Sequence, residues 1–383
     1  MRRLVLADEN IPGVEDILGP AFRVRRFRGR ELTGEMVAAA DALLVRSVTT
    51  VDAALLGHSR VTFVGTATSG FEHIDRGYLS DNGIAFAHAP GANANSVVEY
   101  VLAAIAHCDN LLERLLEGAH VGVIGYGHIG RALVSRLHAL GIGSCVYDPW
   151  LPRDCVPNTG SLTSVLACDV VSLHCELTQR SPWPSKHLIR SPELDAMQPN
   201  SLLVNASRGS VIDNEALLRH LQQNRGPTVV LDVWEHEPDI NSTLLDYTRL
   251  GTAHIAGYSS DGKLRATRML CDALAAHLHC ALPGSMAMAS SAGEVQVPPG
   301  LARAELLRYL VAARYDIARD DALLRQALAP DAPMPPREGF DRLRREYRRR
   351  RELAGSTVTG GGLALPDVAL VEALGARYVT DPR

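Results

Sequence analysis

Three short stretches hold side chains that could do chemistry together: Val204-Asn205-Ala206-Ser207-Arg208-Gly209-Ser210, Val230-Leu231-Asp232-Val233-Trp234-Glu235-His236-Glu237-Pro238 and Gly251-Thr252-Ala253-His254-Ile255-Ala256-Gly257-Tyr258. The first two begin as apolar runs and the third follows one, so each reads as a strand whose carboxyl end presents an arginine, acids or a histidine. The planar fork of Arg208 suits a carboxylate. His254 is the station that titrates near neutrality, and a neighbouring acid, Glu235 or Glu237, could orient it. A cation for a carboxylate, a base for a hydroxyl proton and an acid behind the base are what oxidation of a 2-hydroxy acid requires. Taken singly, a strand-end histidine is ordinarily a capped core residue and Glu-Pro a turn. Their succession at strand ends after a dinucleotide loop favours chemistry.

That loop is Val121-Gly122-Val123-Ile124-Gly125-Tyr126-Gly127-His128-Ile129-Gly130, an apolar strand running into G-x-G-x-x-G. Gly125 permits the sharp turn and Gly127 lets a pyrophosphate approach bare backbone. Gly130 lets the helix opened by His128 and Ile129 lie close to the strand and offer its N–H groups to phosphate. The motif alone is weak, but a helical pattern follows it over 132–140 and a second strand ends at Asp148. Asp148 falls where a carboxylate binds the ribose of NAD and would repel the 2′-phosphate of NADP.

These stations need a scaffold. Over residues 1–90 apolar runs at 4–7, 42–45, 61–64 and 84–87 alternate with helix-like patterns at 14–18 and 51–56, which implies a parallel sheet with helices on its faces. Loops after such strands collect ligand groups. Here they carry Arg46 beside Ser47, and Thr68. Residues 94–116 read as one long connecting helix, and six strands with crossovers, from residue 120 to 251, as a doubly wound fold. An amphipathic pattern at 264–278 reads as a helix returning to the first lobe. The expected fold class is therefore α/β: a Rossmann-type doubly wound dinucleotide domain (94–254) inserted into a flavodoxin-like α/β domain (1–93 with 255–283). A Gly-, Pro-, Ser- and Met-rich linker (284–300) then leads to a small α+β domain (301–383). In that last domain helices are expected over 301–317, 340–353 and 367–374. The second carries Arg342, Arg344, Arg345, Arg348, Arg349, Arg350 and Arg351, and such runs ordinarily face water.

Composition narrows the alternatives. A formal charge of −4 with 21% charged residues predicts no nucleic-acid affinity, and no apolar run reaches membrane-spanning length. The N-terminus meets Asp8 before a signal-like apolar region develops. The seven cysteines are odd in number and contain no C-x-x-C pair, so neither a disulfide framework nor a metal site is indicated. A cytoplasmic protein is expected.

Gly125 to Gly130, Asn205-Ala206-Ser207-Arg208-Gly209, Asp232 to Pro238 and His254-Ile255-Ala256-Gly257-Tyr258 resemble the NAD-dependent D-2-hydroxyacid dehydrogenases. A narrower branch of that family oxidises a phosphorylated sugar acid, 4-phospho-D-erythronate, during pyridoxal phosphate synthesis. The chain resembles it at Asp8-Glu9-Asn10-Ile11-Pro12, Val45-Arg46-Ser47-Val48-Thr49, Gly65-Thr66-Ala67-Thr68, Val98-Glu99-Tyr100-Val101 and Tyr315-Asp316-Ile317-Ala318-Arg319-Asp320-Asp321-Ala322. The resemblance implies that Arg208 binds the substrate carboxylate, that His254 is the acid/base and that Glu237, which directly precedes the proline, is its partner. It implies substrate contacts at Ser47, Thr68 and Tyr258, an NAD site lined by Asp148, Cys175, Ala206, Ser207, Asp232 and Gly257, and a homodimer formed by the last domain. Cys175 stands where the family has threonine, and the connection Leu116-Glu117-Gly118-Ala119-His120 is short for the family. With Arg208 committed to the carboxylate, Arg46 with Ser47 is the best-placed phosphate site. An arginine of 342–351 would serve only if its domain reaches the cleft. The competing readings are a dehydrogenase of 3-phosphoglycerate and a non-catalytic NAD-sensing corepressor.

Overall fold

The computed structural model describes residues 2–283 and 293–380, so residues 284–292 of the expected linker lie outside the described chain. Two compact units emerge, one from the N-terminal residues to Asn93 together with the segment from Ser259, the other from Ala94–Tyr258 together with the C-terminal region.

The first unit holds a parallel sheet of β1 (Arg3–Asp8), β2 (Phe22–Phe27), β3 (Ala42–Val45), β4 (Phe63–Thr66) and β5 (Ala85–His88) in the order β2-β1-β3-β4-β5, the flavodoxin-like order. The central strands β3 and β4 are buried at every position, as expected of strands covered on both faces. Strand β2 escapes an apolar-run criterion because three arginines punctuate it. It lies at the sheet edge, where Arg26 grips Glu15 through Nε and Nη2 at 2.7 and 2.5 Å. The helix Ser260–His277 buries Leu270, Cys271 and Leu274 in the core that also contains Val5, Leu44 and Phe63. Val45 pairs with Thr66, so Arg46-Ser47 and Ala67-Thr68 leave neighbouring strands at the same edge.

In the second unit β6 (His120–Ile124), β7 (Gly143–Tyr147), β8 (Val170–Leu173), β9 (Leu202–Asn205), β10 (Thr228–Leu231) and β11 (Leu250–Gly251) form a parallel sheet in the order β11-β10-β9-β8-β6-β7. A single bridge from Val146 to Thr159 extends it beyond β7. The winding direction reverses between β6 and β8, the switch point at which such sheets bind ligands. The Arg208, Glu237 and His254 stations thus follow three neighbouring strands, β9, β10 and β11. The glycine loop, Asp148 and Cys175 follow β6, β7 and β8.

The C-terminal region contributes a three-stranded parallel sheet, β12 (Glu294–Val297), β13 (Thr357–Gly360) and β14 (Arg377–Tyr378). Its helix Arg303–Ala312 puts Leu306, Leu307 and Leu310 into the same core as Tyr100, Val101 and Leu137 of the dinucleotide part.

Several local expectations are corrected. The stretch 94–116 is two helices, Ala94–His107 and Leu111–Leu116, because Asp109 turns left-handed at φ 29 between them. Strand β12 lies inside the expected linker. The helix expected over 301–317 ends at Ala312, and a further helix, Ile317–Leu328, comes after it. The helix expected over 340–353 is Pro336–Arg345. Beyond it the N–H groups of Leu353 and Ala354 are taken by the Glu99 carboxylate, at 2.7 and 3.3 Å, instead of by a helix of their own. The arginine run is not solvated throughout either. Arg350 is buried, its Nη2 donates to the Ser96 carbonyl at 2.7 Å, and its guanidinium lies 3.8 Å from the Tyr315 ring centre.

Candidate active site

His254 follows β11 with its backbone in the left-handed region at φ 55. For a non-glycine residue that conformation must be held by its surroundings. Asp232, at the end of β10, supplies the grip. Its carbonyl accepts the His254 N–H at 2.7 Å, and its carboxylate accepts the N–H groups of Ile255 and Ala256 at 2.7 and 2.9 Å and the Thr252 hydroxyl at 2.6 Å. Tyr100 adds a hydroxyl contact to Thr252 at 2.9 Å. The Asp232 carboxylate, 1% exposed, is thus engaged by protein donors that shape the histidine loop.

The imidazole Nδ1 of His254 stands 2.7 Å from Glu237 Oε2, and the other oxygen of Glu237 accepts the Trp234 N–H at 2.9 Å. Burial pushes the Glu237 carboxyl upward, but the His254 contact and the Trp234 bond outweigh it and hold the group below its ordinary range. A carboxylate against Nδ1 favours the tautomer with the proton on Nδ1, leaving Nε2 as the basic atom. Glu235 points elsewhere: one oxygen meets His187 Nε2 at 2.8 Å and the other accepts the Asn214 N–H at 2.9 Å. The choice between the two acids, open on residue types alone, falls to Glu237 by geometry.

Arg208 follows β9, and its Nη1 donates to the Ser207 carbonyl at 2.8 Å. The turn before it is tied by Asn205, whose Oδ1 accepts the N–H and hydroxyl of Ser207 at 3.1 and 2.9 Å. A side chain at Gly209 would place its Cβ 1.9 Å from the Trp234 carbonyl oxygen, so the arginine loop and the acid loop are in direct backbone contact. Tyr258 belongs to the same unit. Arg46, Ser47 and Thr68 belong to the first unit, where the Thr68 hydroxyl meets Thr66 and the Gly70 carbonyl, each at 2.7 Å.

Each motif glycine has its own surroundings. Gly125 has φ 96, and a Cβ there would stand 2.6 Å from Cys175 N. At Gly130 a Cβ would stand 2.0 Å from the Gly125 carbonyl oxygen, whereas at Gly127 it would meet nothing within 4 Å. The helix His128–Ala139 starts at Gly127 with no side-chain cap, which leaves its first N–H groups to a ligand. Asp148 accepts the Tyr126 N–H through Oδ2 at 2.8 Å, so this carboxylate sits against the glycine turn. Open backbone, an uncapped helix start and a strand-end carboxylate fit a dinucleotide. The Cys175 thiol is pushed up to about 12 by burial and is a neutral group.

Comparison with known proteins agrees with this geometry. Residues 100–256 match the family model described as D-isomer specific 2-hydroxyacid dehydrogenase, NAD binding domain, and residues 290–375 match a domain of unknown function. An erythronate-4-phosphate dehydrogenase from Cellvibrio japonicus is 45% identical over 91% of this chain and 92% of its own length. One from Salinibacter ruber is 45% identical over 93% of this chain and 94% of its own.

The chain belongs to the erythronate-4-phosphate dehydrogenase family.

Among solved structures, a D-lactate dehydrogenase from Aquifex aeolicus complexed with NAD and lactic acid shares the fold. It has a TM-score of 0.61 and 23% identity, covering 72% of this chain and 95% of that one. An NAD⁺-bound 3-phosphoglycerate dehydrogenase from Entamoeba histolytica gives 0.62 and 21%, covering 73% and 96%. This member of the erythronate-4-phosphate dehydrogenase family is an NAD-dependent dehydrogenase. Sequence reasoning missed Thr252 and Tyr100, which brace the His254 loop through Asp232, and singled out no arginine of the 342–351 run. One of these, Arg344, lies against Tyr258 with Nη2 at 3.3 Å from its hydroxyl.

Proposed function

We propose that this enzyme oxidises 4-phospho-D-erythronate at C2 to 3-hydroxy-2-oxo-4-phosphooxybutanoate in pyridoxal phosphate synthesis, as a cytoplasmic homodimer. What carries the reading is the His254–Glu237 pair at 2.7 Å, one strand end away from Arg208, in a chain similar along more than nine-tenths of its length to enzymes of that name. Arg208 holds the substrate carboxylate. Nε2 of His254 takes the C2 hydroxyl proton, and Glu237 stabilises the imidazolium that results. NAD, when bound, accepts the C2 hydride. Its pyrophosphate is held by Gly125, Gly127, His128, Ile129 and Gly130 and its ribose by Asp148, while Cys175, Ala206, Ser207, Asp232 and Gly257 line the rest. Arg46, Ser47, Thr68 and Tyr258 add substrate contacts. Among the described residues no helix is long and apolar enough to cross a membrane, and no cluster of ligating side chains could hold a metal ion.

The test is turnover. Purified protein with NAD and 4-phospho-D-erythronate, with and without a 2-oxo acid to reoxidise the cofactor, should show a change in nicotinamide absorbance or sustained product formation. Preference for D-3-phosphoglycerate would move the enzyme to another branch, and turnover of neither would favour the sensing role. Light scattering should give the mass of two chains, and a single-chain mass would remove the dimer.

A further inference from the structure

Arg344 is an arginine without a structural task that uses it up. It lies on the helix Pro336–Arg345, its Nη2 donates to the Tyr258 hydroxyl at 3.3 Å, and its guanidinium carbon is 5.9 Å from the centre of the Tyr258 ring. Its Nε is buried with no hydrogen-bond partner. Arg325, a structural arginine of the same unit, shows the contrast. There Nε meets the Asp321 carboxylate at 3.0 Å, and Nη1 and Nη2 donate to the carbonyls of Leu245 and Thr248 at 2.9 and 3.0 Å. A buried guanidinium N–H lacking an acceptor is costly unless a ligand supplies one. Arg344 also acts electrostatically on Glu237, Asp232 and Tyr258, so its charge is felt at the acid/base pair.

We infer that Arg344, with Tyr258 beside it, is a second anion subsite of this active site and takes the phosphate at the end of the substrate remote from C1. The inference rests on the reading of 4-phospho-D-erythronate as substrate. Such a molecule brings a carboxylate and a phosphate of about −1.5 to −2 charge at neutral pH. Glu237 and Asp232 already place negative charge near the reacting carbon, and Arg208 answers one anion only. The guanidinium fork matches phosphate oxygens in pairs. Tyr258 comes four residues after His254, so an arginine seated on Tyr258 lies beside the loop that carries the acid/base residue. The C-terminal region thereby supplies a specificity residue as well as a share of the core.

The experiment compares wild type, Arg344→Gln and Arg344→Lys, using 4-phospho-D-erythronate and unphosphorylated D-erythronate as substrates and inorganic phosphate as a competitive inhibitor. Loss of charge-assisted hydrogen bonds predicts that Arg344→Gln lowers kcat/KM for the phosphorylated substrate by about 10- to 150-fold and raises the phosphate inhibition constant comparably. D-erythronate should lose only what the charge of Arg344 contributes at the Glu237–His254 pair, so its kcat/KM should fall by about tenfold less than that of the phosphorylated substrate. Arg344→Lys keeps the charge without the fork and should fall between. Equal losses on both substrates, or phosphate inhibition unchanged in Arg344→Gln, would overturn the assignment and leave Arg344 as a structural contact of Tyr258. If thermal melting shows that Arg344→Gln is not folded, Arg344→Lys carries the same comparison on both substrates and on phosphate inhibition. If wild type turns over another 2-hydroxy acid instead, the substrate reading fails by itself, and inorganic phosphate still reports whether Arg344 binds the anion.

Discussion

Replacing Glu237 by glutamine tests the catalytic pair with almost no change of shape. The amide oxygen can keep the Trp234 N–H, now at 2.9 Å from the carboxylate, which turns the NH₂ group toward Nδ1 of His254. That contact imposes the tautomer with the proton on Nε2, the wrong form for taking a hydroxyl proton. The charge is lost as well. With charge centres about 4 Å apart and an effective dielectric near 20, the ion pair formed in the transition state contributes about 4 kcal/mol. The dielectric suits this pair, whose side chains are 32% and 18% exposed. A loss of roughly 3–4 kcal/mol corresponds to a fall of 10²- to 10³-fold in kcat. The assay is single-turnover and steady-state NADH formation, with cofactor affinity followed in parallel by NADH fluorescence. Affinity should hold within about threefold, since Glu237 is remote in sequence and strand order from the glycine loop. Glu235→Gln is the matched control and should retain most turnover, because its carboxylate serves His187 and Asn214. A loss below about tenfold in Glu237→Gln, or an equal loss in Glu235→Gln, would refute the pairing.

Gly127→Ala should leave the melting temperature unchanged yet weaken NAD by about tenfold or more, since its Cβ meets no protein atom but enters the space offered to the pyrophosphate. Gly130→Ala should lower the melting temperature, because its Cβ would stand 2.0 Å from the Gly125 carbonyl. Similar melting curves for the two would contradict this division of roles. NAD should be preferred to NADP in kcat/KM through Asp148, and comparable efficiencies would assign ribose selection elsewhere. The Glu99 carboxyl is raised to about 7 chiefly by burial, with Arg350 opposing the rise and Glu352 adding to it. A raised carboxyl binds its proton more tightly in the folded chain. Its contribution is therefore fullest below its ordinary value of 4.5 and is lost as pH rises through about 7. Urea unfolding at several pH values should show Glu99→Gln flattening that slope, and parallel slopes in the two proteins would refute it.

Much of this arrangement was legible in the sequence because it depends on strand ends. Apolar runs bounded by turn residues pointed to six strands between residues 120 and 251, where the larger sheet has its six, and a parallel sheet brings successive strand ends to one edge. Arg208, Glu237 and His254 could therefore be grouped from the sequence alone. Side-chain direction was less accessible. Glu235 and Glu237 lie two residues apart after the same strand, and only the folded turn shows that one faces His254 and the other His187. Least legible was the arginine run. Its residues are chemically alike, the helix stops at Arg345, and the segment around Leu353 is placed by Glu99, some 250 residues earlier in the chain. No local pattern could separate Arg344 at Tyr258 from Arg349 in solvent or Arg350 in the core.

The order of stations along the larger sheet has an evolutionary consequence. The groups proposed for the substrate carboxylate and for proton transfer follow β9, β10 and β11, while those proposed for the dinucleotide follow mainly β6, β7 and β8. Substitutions after β7 can retune which nicotinamide cofactor is accepted without disturbing the acid/base pair. Drift after β9 to β11 can alter the hydroxy acid while the pyrophosphate and ribose contacts assigned after β6 and β7 are inherited intact. The same scaffold can therefore diversify along two separate axes, with the backbone contact between Gly209 and Trp234 locking the Arg208 and Glu237 loops so that they must change together.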